Sequence, residues 1–104
     1  MNWNQSPLAF ADIREAFDRA IATQRGIRIK CGTHAEAVIR RSRFNYFRKM
    51  NRAENKETYP PGHNLHGNSV YDTLILRIPS RGAEDATYLY IEPRTITDML
   101  IEEL

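Results

Sequence analysis

Apolar positions in the first quarter of the chain recur at helical spacing. Phe10, Ile13, Phe17, Ala20 and Ile21 share one side, with Asp12, Arg14, Glu15, Asp18 and Arg19 between them. Ser6-Pro7 suits the opening of such a helix, since serine can cap and proline is tolerated at the first helical position. Gly26 suits its end. The spacing then drops to two: Ile27, Ile29 and Cys31 alternate with Arg28 and Lys30, the pattern of a half-buried strand. Gly32 breaks it, and Thr33-His34-Ala35-Glu36 reads as a capping box. The helix it opens is expected to reach Asn51 or Asn55. Residues 57–69, beginning ETYPPGHNLHGN, hold two prolines and two glycines and predict a long loop, either functional or mobile. Val70–Ile78 and Ala86–Glu92 predict two strands joined by PSRGAED as a hairpin. Residues 95–104 predict an acidic C-terminal helix or tail, with Met99, Leu100 and Leu104 packed and Asp98, Glu102 and Glu103 wet. The order α-β-α-β-β-α over residues 1–104 predicts one α+β domain, a small, mostly antiparallel three-stranded sheet packed with helices.

Placed at about 100° per residue, the second helix gathers Ala35, Val38, Ile39, Ser42, Tyr46, Met50 and Ala53 on one side, the expected core stripe. The other side carries Ala37, Arg40, Arg41, Phe44, Phe47, Arg48, Asn51 and Arg52, so Phe44 and Phe47 are expected to stand among the arginines. Alternation on the strands sends Ile27, Ile29, Val70, Leu74, Leu76, Ile78, Leu89 and Ile91 to the core. Arg28, Lys30, Tyr71, Thr73, Ile75, Arg77, Tyr88 and Tyr90 are left for the opposite face.

Charge sharpens this picture. The 104 residues carry a net charge of only +2. Residues 25–56, however, hold ten Lys or Arg against Glu36 and Glu54, a local charge of +8 that leaves −6 for the remainder. Such asymmetry points to an anionic partner, or to a basic part of one copy meeting an acidic part of another. Guanidinium groups beside flat rings suit nucleic acid. They grip phosphates and release counterions, while exposed rings stack on unpaired bases. The expected contact set is therefore Arg28, Lys30, Arg40, Arg41, Phe44, Phe47, Arg48, Lys49 and Arg52. Phe44 and Phe47 would stack on bases or seal a subunit interface. Tyr71, Tyr88 and Tyr90 form a second stacking set on the sheet.

Other chemistry finds little footing. No stretch approaches the ~18 apolar residues of a membrane helix. The N-terminal MNWNQSPLAF lacks the basic start and long apolar segment of a signal peptide. With a single cysteine, these features lead to the expectation of a reducing, cytoplasmic setting. His34, His63, His66 and Cys31 show no metal-ligand spacing. Phosphate loops, nucleophile elbows and dinucleotide fingerprints are absent, so no catalytic residue, metal or cofactor is expected. Asp72 and Glu92, with Glu92-Pro93-Arg94 after them, sketch a metal-dependent nuclease as the third alternative.

The run Ile27–Lys49 begins like a ribbon-helix-helix DNA binder, a basic strand leading into a capped helix, and then departs from it at the long loop. With its basic-aromatic helix and its acidic, apolar ending DMLIEEL, the chain resembles in style small phage or mobile-element DNA-binding proteins of the single-stranded-DNA-binding or transcription-cofactor type. The resemblance implies a non-enzymatic DNA binder, single strands favoured, forming homo-oligomers in a host cytoplasm. It further implies a polymerase or other protein partner for the acidic C-terminus. The alternative is a protein-interaction module or inhibitor whose basic helix docks on an acidic host protein.

Overall fold

The computed structural model describes residues 7–94; the expected C-terminal helix lies outside them. Helix α1 spans Pro7–Thr23, strand β1 Ile27–Lys30 and helix α2 His34–Thr58. A 3-10 turn at Val70–Thr73 then leads into β2, Leu74–Arg77, and β3 follows at Tyr88–Pro93. The α+β class is as the sequence predicts. The sheet is antiparallel throughout with order β1-β3-β2, so the last strand lies in the middle. Both helices contact β3 from one side of the sheet and touch each other, leaving the opposite side open among the described residues.

Local chemistry explains the junctions. Gln24 and Gly26 adopt left-handed backbone after α1, at φ 62° and 85°. A Cβ on Gly26 would sit 2.5 Å from the Ile91 carbonyl oxygen, so the turn into β1 demands glycine there. The Thr33 side chain accepts from the Glu36 amide at 3.0 Å and caps α2 as predicted. Helix α2 runs on to Thr58, past both expected ends. The loop beyond it is built from consecutive turns: His63, His66 and Asn68 amides donate to the Pro60, His63 and Leu65 carbonyls. Asn55 Nδ2 donates to Asn68 O at 2.7 Å and ties the loop back to the helix.

The face of α2 turned inward is the opposite of the one its apolar stripe suggests. Ala37, Phe44, Phe47 and Asn51 are the buried residues of the helix. Val38, Ile39, Tyr46 and Met50 are exposed. Phe44 and Phe47, 4% and 5% accessible, therefore reach neither bases nor a second subunit. They close instead on fully buried Phe17 of α1. The Phe44 ring meets it edge-on at 4.9 Å, and Phe47 lies 5.9 Å from it. Tyr71 stacks on the other side of Phe17 at 5.1 Å. Burying the two phenylalanines gains their apolar area, and the edge-on contact of Phe44 with Phe17 adds to that gain.

The arginines beside them are satisfied locally. Arg48 donates to the Tyr71 and Leu74 carbonyls at 3.2 and 2.8 Å and to Asn45 Oδ1. Burial pulls its pKa down from the ordinary value, and Asp72 opposes that pull. Arg52 Nη1 donates to Asp72 Oδ1 at 2.7 Å. Buried Asn51 accepts from Ser69 Oγ at 2.6 Å. Arg48 and Arg52, expected to grip phosphates, thus bind the chain to itself.

A second exchange occurs at Val70 and Tyr71. The segment is a 3-10 turn capped by Ser69, whose side chain accepts from the Tyr71 amide. Val70 turns outward and Tyr71 inward, so Tyr71 is removed from the expected stacking set. Its hydroxyl donates to Asp18 Oδ1 at 2.8 Å. Burial first, and the Asp18 carboxylate second, raise its pKa above the ordinary phenol value.

Two outcomes are expected. Phe44→Ala and Phe47→Ala should each lower the unfolding free energy by about 3–5 kcal/mol in urea titration. Losses under about 1 kcal/mol would place the rings outside the core. Because the fold favours the neutral Tyr71 phenol, its contribution is complete below about pH 10, the ordinary phenol pKa, and is lost as pH rises past it. Denaturation midpoints followed across that range should fall less steeply in Tyr71→Phe.

Candidate nucleic-acid interface

The open face of the sheet is built by strand alternation. Cross-strand register puts Arg28 of β1 and Arg77 of β2 on either side of Tyr90 of β3, with Lys30 beside Tyr88. Their neighbours Ile27, Ile29, Leu76, Leu89 and Ile91 point to the core, so the alternate positions must point away from it. Tyr88 and Tyr90 are half-buried, their ring centroids 6.4 Å apart and tilted by 48°.

Each ring carries a guanidinium. Arg28 Cζ lies 4.2 Å from the Tyr88 centroid, and Arg77 Cζ lies 4.2 Å from that of Tyr90. Arg28 Nη1 also approaches the Tyr90 hydroxyl at 3.5 Å. Tyr90 in turn donates to Asp85 Oδ2 at 2.6 Å. Arg77 is held by Glu92 at 2.8 and 3.3 Å, through two nitrogens and both carboxylate oxygens. The Tyr90 hydroxyl, followed by Tyr88, raises the Arg28 pKa, and the Glu92 hydrogen bond raises that of Arg77. The result is a row of flat, cationic groups stacked on phenol rings across the centre of the sheet. Such groups can stack on a base through either the ring or the guanidinium plane and can pair with phosphate.

The expected contact residues do not form one track. Arg28 and Lys30 lie on the sheet's open face, while the α2 residues lie on the far side of the core. Arg40 and Arg41 are half-buried beside the packed face of α2, and Lys49 is exposed. Of the stacking tyrosines, Tyr88 and Tyr90 are on the open face and Tyr71 is not. Asp85 and Glu92 complete the face although they were not expected there. Glu92 directly opposite Ile75 and next to Tyr90 on β3 was readable from strand pairing, whereas the bend that brings Asp85 back was not.

The nuclease carboxylates are separated by function. Asp72 faces Arg52 and Arg48, and Glu92 faces Arg77. Among the described residues no group of three or more His, Cys, Asp or Glu is arranged to hold a metal ion. The histidines serve the loops: His34 Nδ1 meets Ala86 O at 2.9 Å, and His66 Nδ1 meets Tyr59 O at 2.7 Å. His63 stacks on Tyr59 and accepts from the Leu65 amide. No helix of the described residues is long and apolar enough to cross a membrane. Comparison with protein-family models, curated proteins and solved structures finds no match.

Cys31 is buried at the end of β1, and burial pushes its thiol pKa up, with Arg40 partly opposing. At pH 8 a thiol reagent should modify the native chain at less than about a tenth of the rate seen in denaturant. Equal rates would mean an accessible, activated thiol.

Proposed function

We propose that the chain is a non-enzymatic binding module for single-stranded nucleic acid, DNA in the first instance, and that the open sheet face is its contact surface. The observation that carries this reading is the pair Tyr88 and Tyr90 on the central strand, facing away from both helices and flanked by Arg28, Lys30 and Arg77. Aromatic side chains at the middle of an uncovered sheet present flat surfaces to splayed bases, and flanking cations hold the backbone. In a duplex the bases already stack on one another, so the rings gain little there. Cation stacking adds to the case. Arg28 over Tyr88 and Arg77 over Tyr90, the latter also held by Glu92, are positioned before any ligand arrives, which reduces the ordering cost of binding.

Helix α2 contributes less than its composition promises. Arg48 and Arg52 are engaged with carbonyls and Asp72, and Phe44 and Phe47 lie in the core. The same engagement weakens the reading of α2 as a basic helix that docks on an acidic protein.

Fluorescence anisotropy with an unstructured oligothymidylate and with a duplex of equal length tests the proposal. Tyr88→Ala and Tyr90→Ala should each weaken single-strand binding by about 1–3 kcal/mol and change duplex binding less. Lys30→Ala should reduce the salt dependence by about 0.7 in the log–log slope, the loss of one phosphate contact. Absence of binding to the single strand at about 50 mM salt, or tyrosine variants that bind as well as the parent, would overturn it.

A further inference from the structure

The open sheet face carries two acids among its cations, and they are engaged differently. Glu92 has both carboxylate oxygens on Arg77, at 2.8 and 3.3 Å. Asp85 Oδ2 accepts from the Tyr90 hydroxyl at 2.6 Å, while Oδ1 meets no donor among the described residues. The side chain is half-buried and reaches the face from the loop before β3, at the hydroxyl end of Tyr90. Its backbone is held as well, since the Tyr88 amide donates to the Asp85 carbonyl at 3.0 Å. After the Tyr90 hydroxyl for Arg28, and Glu92 for Arg77, the Asp85 charge also raises the pKa of both arginines. It therefore lies within electrostatic reach of each.

A carboxylate is an unfavourable neighbour for a polyanion. It can only accept hydrogen bonds, and a phosphate offers it nothing but like charge. In a DNA strand the donors are on the bases. A base seated against the Tyr90 ring brings one edge toward the hydroxyl end, where Asp85 Oδ1 is open. We infer that Asp85 makes this face selective for bases with an exocyclic amino group, so that cytosine is taken above uracil or thymine. The cytosine amino group donates to the carboxylate in a charge-assisted bond. Uracil and thymine carry a carbonyl oxygen at the same ring position, which the carboxylate repels, and their one ring N–H stands between two such oxygens. This selectivity rests on the sheet face being the single-strand contact surface proposed above, and it says which bases that surface takes.

Anisotropy titrations with oligodeoxycytidylate and oligodeoxyuridylate of equal length isolate that ring position, because both are pyrimidines without the thymine methyl. Mildly alkaline buffer keeps cytosine unprotonated. The parent chain should bind the cytosine strand about tenfold tighter or more. Asp85→Asn should abolish the preference or reverse it, because the amide can present its NH2 to the uracil carbonyl. Glu84→Gln removes the same charge from the exposed residue next to it and should keep the preference. A purely structural role for Asp85 would weaken both strands alike and leave their ratio unchanged. Equal binding of the two strands by the parent, or a preference that survives in Asp85→Asn, would overturn the inference while leaving the face a nucleic-acid surface. Failure of both strands to bind would overturn the reading of the face, and the selectivity with it.

Discussion

Phe17 is the contact on which the rest of the molecule depends. It is fully buried and meets Phe44 and Phe47 of α2 and Tyr71 of the 3-10 turn, so one ring joins both helices to the segment that starts β2. Aromatic contacts of this kind contribute their buried area and a further ~0.5–1.5 kcal/mol per pair from ring geometry. Once Phe17 is seated, the rotation of α2 about its own axis is decided. That rotation determines which arginines face inward, which apolar residues face solvent and where the 3-10 turn can dock.

The polar groups carried inward by that rotation find partners at once. Arg48 enters beside the rings and bonds the two carbonyls that frame the start of β2. Arg52 takes Asp72, and Asn51 takes Ser69. No buried side-chain nitrogen or oxygen among the described residues lacks a hydrogen-bond partner. A charge taken out of water costs several kcal/mol unless it is paired. These contacts tie α2 to residues 69–74 beside the rings, and they engage Arg48 and Arg52 within the chain.

The surface proposed for a ligand is the side of the sheet that neither α1 nor α2 touches. Its centre is β3, the last strand in sequence and the middle one in space, so the tyrosines sit between cations from both edge strands. This part of the candidate site was legible in advance: alternation along β1 and β3 is enough to put Arg28, Lys30, Tyr88 and Tyr90 on one face. Tyr71 escaped that logic because Ser69 caps a 3-10 turn, and a turn with three residues per repeat breaks the alternation that a strand would have kept. Phe44 and Phe47 escaped it for a different reason, since the wheel places them correctly relative to the arginines but is silent on which side meets the core.

By itself the sequence determined the α+β class, the order of the two helices and three strands, the α2 cap, and the two faces of β1 and β3, because each follows from local periodicity or from hydrogen bonds within a few residues. Only the tertiary structure decided which face of α2 is buried, the central place of β3 and the inward turn of Tyr71. Helix α2 offers two apolar faces, and periodicity cannot rank them. The ranking comes from Phe17, 27 and 30 positions before the two phenylalanines it receives, and from carbonyls more than 20 residues beyond Arg48 that make an arginine tolerable inside. Those partners are distant in the chain, and their effect exists only once the chain has folded.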